Sequence, residues 1–331
     1  MTRKKNLNLM DERMEFRPFS YPWAYEAWLK HEQIHWLHTE IPMLEDIKDW
    51  KNRLTKEEKQ FLTHIFRFFT QGDIDVAGGY VKNYLPHFKQ PEVRMMLLGF
   101  AAREALHIAA YSHLIETLGL PDTMYNQFVE YEAMKHKHEY VTSISEENTT
   151  KEDTAKHIAV FSAFTEGMQL FSSFIMLLNF PRNGLMKAMG QYITWSIVDE
   201  TIHAVSMIKL FRTYIEENKE IWNDQLKSQL YIIAEEMVKL EDKFIDLAFE
   251  MGDQKNLSKE DVKKYIRYIA DRRLISLGLK GIFKVKTNPL PWVEEMVNSP
   301  VHGNFFENRV TDYAKGALSG SWDDVWSKSK T

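Results

Sequence analysis

Apolar residues along the chain recur at intervals of three and four, and no stretch alternates long enough to suggest a strand. From Pro22 the pattern PWAYEAWLKHEQIHWLH predicts a helix to about His38, with Trp28, Ile34 and Trp36 among its apolar positions. Thr55-Lys-Glu-Glu58 has the form of a capping box and opens a second helix. Its stripe reads Leu62, Ile65, Phe69, Asp73, Val76 and Tyr80. Pro86 closes that helix, and Pro91 opens the next, whose stripe is Leu97, Phe100, Glu104, His107, Tyr111 and Leu114. A polar helix (MYNQFVEYEAMKHKHEYV) follows Gly119-Leu-Pro121. An apolar helix then runs from about residue 151 to the break at Pro181-Arg-Asn-Gly184. After it come a helix through Glu200 and two amphipathic helices, at about 220–251 and 259–276. LPWVEEMVNSPVHGNFF reads as irregular packing, and RVTDYAKGALSGSWDDVWSKSKT as a tail. The pattern predicts an all-α bundle. Residues 1–19 form a polar arm, 20–297 the helical domain, and 298–331 a C-terminal segment and mobile tail.

Six positions on these helices are out of place in an apolar core. Glu104-Ala-Leu-His107 puts a carboxylate and an imidazole on one helical face, and Glu200-Thr-Ile-His203 repeats the spacing. Each copy is preceded by a helix with a single inward acid, Asp73 in FFTQGDIDVAGGY and Glu166 in VFSAFTEGMQLFSSF. Asp75 lies about 200° around the helix from Asp73, a poorer position for a ligand. Asp73 is 13 residues before Pro86 and Glu104 is 13 after Pro91; Glu166 is 15 before Pro181 and Glu200 is 16 after Gly184. At about 1.5 Å per residue, each acid pair comes level in an antiparallel hairpin. Burying unpaired charge costs several kcal/mol, so a divalent metal is the economical partner. One carboxylate plus one Glu-x-x-His from each of two helix pairs is the ligand set of ferritin-like di-metal bundles. His31, His35 and His38 also recur at helical spacing, but no inward acid accompanies them and a polar face is expected. His136 and His138 have charged surroundings and are expected to face solvent.

The 331 residues, 44% hydrophobic and 13% aromatic, suffice for a large core. A net charge of -5 offers no basic patch for nucleic acid. With no cysteine, any metal sits in a nitrogen and oxygen shell. Four carboxylates and two imidazoles suit iron or manganese better than zinc or calcium. The charged N-terminus is unlike a signal peptide, and no uninterrupted apolar run reaches about 18 residues, so a cytoplasmic, non-membrane protein is expected. Tyr111, one turn beyond His107, is either a core tyrosine with a satisfied hydroxyl or a phenol oxidised by the adjacent site.

FFTQGD, EALHIAAY, FTEGMQLF, VDETIH and NFFENRVTDY together resemble the small, radical-generating subunit of class I ribonucleotide reductase, from about Pro22 to Tyr313. The resemblance implies an oxidoreductase subunit whose di-metal site makes a one-electron oxidant for a large catalytic subunit. It implies Asp73, Glu104 and His107 as ligands of one ion and Glu166, Glu200 and His203 of the other, with iron, manganese or a mixed pair bound. It implies a tyrosyl radical at Tyr111, or an oxidant kept on the metals. It implies a relay through His107, Asp199 and Trp36, then Tyr313 in the tail. A homodimer, and in some branches an activating flavoprotein, are further implications. Many relatives carry Phe one turn after the third carboxylate and Ile one turn before the fourth. Here Leu170 and Ser196 stand there, while Phe174 fits. A Ser196 hydroxyl beside Tyr111 would shorten the radical's life or change its hydrogen bonding. The alternatives are another ferritin-like di-metal oxidase or oxygenase acting on an organic substrate, and an iron-storage protein.

Overall fold

A computed structural model describes residues 7–146 and 150–297. Among these no strand forms beyond an isolated bridge between Gln254 and Leu257, and the architecture is the expected all-α bundle. The helices that matter here are α1 (Pro22–Glu32), α2 (Lys56–Gly79, continuing as a π-helical turn Tyr80–Tyr84) and α3 (Pro91–Thr117). They are followed by α4 (Glu132–Glu146) and α5, which is built from Lys151–Ile158, a π-helical stretch Ala159–Gln169 and Leu170–Arg182. The set is completed by α6 (Lys187–Glu217), α7 (Asp224–Ala248), α8 (Lys259–Leu277) and α9 (Pro291–Val297).

Local chemistry sets the ends. Thr55 and Glu58 close the predicted capping box, Glu58 N–H donating to Thr55 Oγ1 at 3.2 Å and Thr55 N–H to Glu58 Oε2 at 2.8 Å. Pro91 stands at the first position of α3, where its missing N–H costs nothing. The start of α6 is capped from far away. Asp46 accepts from the N–H groups of Ala188 (3.0 Å) and Met189 (2.7 Å), and Asp49 from that of Met186 (2.8 Å). Two buried carboxylates thus meet the positive end of α6.

α2 packs along α3, and the π-helical part of α5 along α6. The predicted stripes of α2 and α3 are buried throughout. α5, by length and composition, would pass as a membrane span, but its apolar window is wholly buried in the bundle. That is the profile of a central core helix.

Several expectations are corrected. α1 stops at Glu32, not near His38, and past its end the Arg103 guanidinium donates to the carbonyls of Ile34 (2.7 Å) and His31 (3.4 Å). Trp36 therefore lies on irregular chain and is fully buried. His31 is buried too, so the three histidines do not share a polar face, although His35 is exposed. α4 begins only at Glu132, and its face is less solvated than its composition suggests. His138 pairs with Asp75 at 2.5 Å. Lys137 is buried with its Nζ 2.6 Å from Glu241 of α7 and over the ring of Phe68. The N-terminal arm is partly tied down: Leu9 is buried, and Arg13 reaches Glu92 at 3.1 Å. The chain divides into two compact units at Leu290. In the second, Pro291–Val297 is helical where irregular chain was expected. Tyr313 and the tail lie outside the described residues.

Candidate metal centre

α2 supplies Asp73, α3 Glu104 and His107, α5 Glu166, and α6 Glu200 and His203, each no more than 1% exposed. One atom from each of Glu104, Glu166, Glu200 and His203 falls within a 4.8 Å cluster, and one from each of Asp73, Glu104 and His107 within another. Glu104 belongs to both, the position of a bridge. Glu200 also reaches across, its Oε1 lying 3.1 Å from His107 Nδ1. All six residues expected from the sequence are thus brought together at one point.

The cluster carries polar atoms that protein alone does not satisfy. Asp73 Oδ2, Glu104 Oε1, Glu166 Oε2, both Glu200 carboxylate oxygens and His203 Nδ1 are buried without a well-formed hydrogen bond. So many orphaned acceptors facing two imidazoles fit a pair of cations. Protons substitute when no cation is bound. Burial and the neighbouring Glu104 carboxylate push Asp73 well above the ordinary range. Burial pushes Glu166 up to about 8. For Glu104 burial opposes ionisation, but the imidazoles of His107 and His203, 3.3 and 3.0 Å away, overcome it and hold the group at about 2. Burial lowers both imidazoles, yet carboxylates on every side leave them raised well above the usual value.

Outside this cluster the two histidines are anchored differently. His107 directs Nδ1 inward and Nε2 to Asp199 Oδ2 at 3.1 Å. The same oxygen accepts from Trp36 Nε1–H at 2.9 Å, and the Trp36 ring stacks on His107 at 5.8 Å and 19°. Arg103 Nη1 holds both Asp199 oxygens, at 3.0 and 3.1 Å. Burial would raise the Asp199 pKa, but His107 and Arg103 hold it below the ordinary carboxylate value. His203 turns Nδ1 inward and Nε2 to His31 Nε2 at 3.1 Å. Burial, then the His203 charge, lowers His31 to about 3, which keeps it neutral. Such partners fix ligand tautomer and orientation.

Two buried phenols flank the cluster. The Tyr111 hydroxyl donates to Ser196 Oγ at 2.7 Å, and its ring lies 4.3 Å from that of Phe69, which Phe174 meets edge-on. The Tyr80 hydroxyl donates to Glu166 Oε1 at 2.8 Å. Sequence reasoning missed His31, Arg103 and the role of Tyr80. Arg103 had a signal: it lies one turn before His107 on the same face of an apolar helix. Tyr80 was placed on the buried stripe but read as core.

The family "Ribonucleotide reductase, small chain" matches residues 13–289. The chain is 54% identical to the "Probable ribonucleoside-diphosphate reductase small subunit" of Invertebrate iridescent virus 3, over 96% of this chain and 88% of that protein. It is 31% identical to the "Ribonucleoside-diphosphate reductase subunit beta" of Chlamydia pneumoniae, over 89% and 88% of the two chains. The fold is similar to that of the ribonucleotide reductase R2 subunit from Clostridium botulinum, with a TM-score of 0.78 and 22% identity over 84% of this chain and 88% of that one. With a buried carboxylate–imidazole cluster at the heart of a ferritin-like bundle, and relatives matched nearly end to end, the chain belongs to the ribonucleotide reductase small-chain family.

Proposed function

We propose that this ribonucleoside-diphosphate reductase small subunit would hold two metal ions, one at Asp73, Glu104 and His107 and one at Glu166, Glu200 and His203, Glu104 being shared by both residue clusters. Bound iron or manganese would supply one-electron oxidising power drawn from dioxygen or a related oxidant. Tyr111 is the phenol positioned to store that oxidant, unless it stays on the metals. Phe69 and Phe174 wall it from water.

The observation that carries the reading is the continuous contact from His107 through Asp199 to Trp36. Asp199 accepts from both sides, so a proton held at Trp36 Nε1 has an acceptor when the indole loses an electron. Arg103 keeps that acceptor ionised. From Trp36 the hole would pass to Tyr313 and into the large catalytic subunit, docked through residues 298–331. A homodimer in the cytoplasm, touching neither nucleic acid nor membrane, and with a flavoprotein activator if manganese is used, completes the proposal.

The test is metal analysis with electron paramagnetic resonance, before and after oxygen reaches the reduced, metal-loaded protein. Two ions per chain and a sharp signal near the free-electron position are expected if Tyr111 stores the oxidant. A many-line manganese signal without a tyrosyl line would move the oxidant onto the metals. A chain that binds no metal would overturn the reading.

A further inference from the structure

Tyr111 is not the only phenol against the cluster, nor the one better equipped to be oxidised. A tyrosine that gives up an electron must also shed its hydroxyl proton, so the partner on that hydroxyl decides how readily the phenol reacts. Tyr111 donates to Ser196 Oγ, a neutral hydroxyl and a poor base. Tyr80 donates at 2.8 Å to Glu166 Oε1, a carboxylate oxygen of the cluster itself, while Glu166 Oε2 is left without a hydrogen bond and free for a metal. Tyr80 is 1% exposed, and the rings of Phe100 (6.2 Å) and His203 (6.3 Å) meet it edge-on. The next ring outward, Tyr84 at 5.5 Å, donates only to the carbonyl of His157 and has no base of its own. On this side of the cluster Tyr80 is therefore the ring with a carboxylate at its hydroxyl.

We propose that Tyr80 is a second oxidisable tyrosine of the centre, coupled to the metals through Glu166. This rests on the reading of Glu166 as a metal ligand. In the step, the Tyr80 O–H bond breaks: its electron reduces the oxidised metal pair by one equivalent and its proton passes to Glu166 Oε1. A neutral phenoxyl remains on Tyr80. With both tyrosines present, two phenols compete for one oxidising equivalent.

The test uses the full-length chain grown with ring-deuterated tyrosine, loaded with Fe(II), mixed with oxygen and frozen from milliseconds to minutes. Metal content is measured in the same samples. Tyr111→Phe should keep a tyrosyl signal that narrows on deuteration, and Tyr80→Phe in the Tyr111→Phe background should remove it with metal content unchanged. Tyr111→Phe protein that holds two ions per chain and gives no tyrosyl signal at any time would overturn the proposal. So would a signal that survives in the double variant. Protein that binds no metal would overturn the metal reading and this proposal with it. Loss of metal in Tyr80→Phe alone would show that the phenol only positions Glu166, which also overturns it.

Discussion

Glu166 shows what a single residue contributes here. It is the only acid on its stretch of α5, its Oε1 is held by Tyr80, and its Oε2 is an orphan. Glu166→Ala should lower metal content below that of the unaltered chain, as read by metal analysis; full occupancy would remove it from the ligand set. Protonation sets the pH response. The metal-free fold raises Glu166 from 4.5 to about 8, and lifts Asp73, His107 and His203 as well. These four groups bind more protons folded than unfolded, so their contribution to stability should be lost as pH rises from about 4.5 through 8, while His31, lowered to about 3, acts in the opposite sense below 6.5. Metal uptake must expel those protons, and apparent affinity should rise with pH across the same window. Calorimetry in two buffers of different ionisation heat would count the protons released. At Tyr111 the expected change is in lineshape. Ser196→Ala removes the only hydrogen bond on its hydroxyl, and the tyrosyl g-values should shift toward those of an unbonded phenoxyl in high-field spectra.

At the scale of the element, most of the arrangement was legible because helix geometry is rigid. Counting residues from Pro86, Pro91, Pro181 and Gly184 levels four acids, since each helix advances by nearly the same rise. Asp73, Glu104, Glu166 and Glu200 met as counted. What stayed hidden depends on contacts between distant segments. His31 meets His203 across 172 positions, and Arg103 meets Asp199 across 96. No local pattern reports that Arg103 reaches the carbonyls just where α1 ends. The buried Lys137 was hidden in the same way, its partner Glu241 lying on α7. Lys137→Met should destabilise the fold by about 3–5 kcal/mol, because it strands a buried carboxylate. A denaturant midpoint close to that of the parent would show that the pair contributes little.

For the whole molecule the decisive question is what leaves the bundle. Trp36 is fully buried, so a hole reaching it needs a further carrier to arrive at a partner, and residues 298–331 are the segment proposed for this. Deleting residues 314–331 should leave metal content and oxygen-induced signals unchanged, yet abolish ribonucleotide reduction with the large subunit added. Retained reduction would assign docking elsewhere.

The wide turns of α5 bear on how the chain tolerates a change of length. Ala159–Gln169 is π-helical over 11 residues, and Glu166 stands inside it. On one side His157 offers its carbonyl to Tyr84; on the other, residues from Leu170 onward fill the core. A wide turn takes up an extra residue while the helix on either side keeps its facing. Deleting one residue before Glu166 can therefore be absorbed by tightening toward ordinary pitch, with the outer anchor and the carboxylate left in phase. An insertion has no such relief, because the turns there are already wide, and would rotate one half against the other by about 100°. Along residues 159–166 the chain should lose a residue more readily than it gains one.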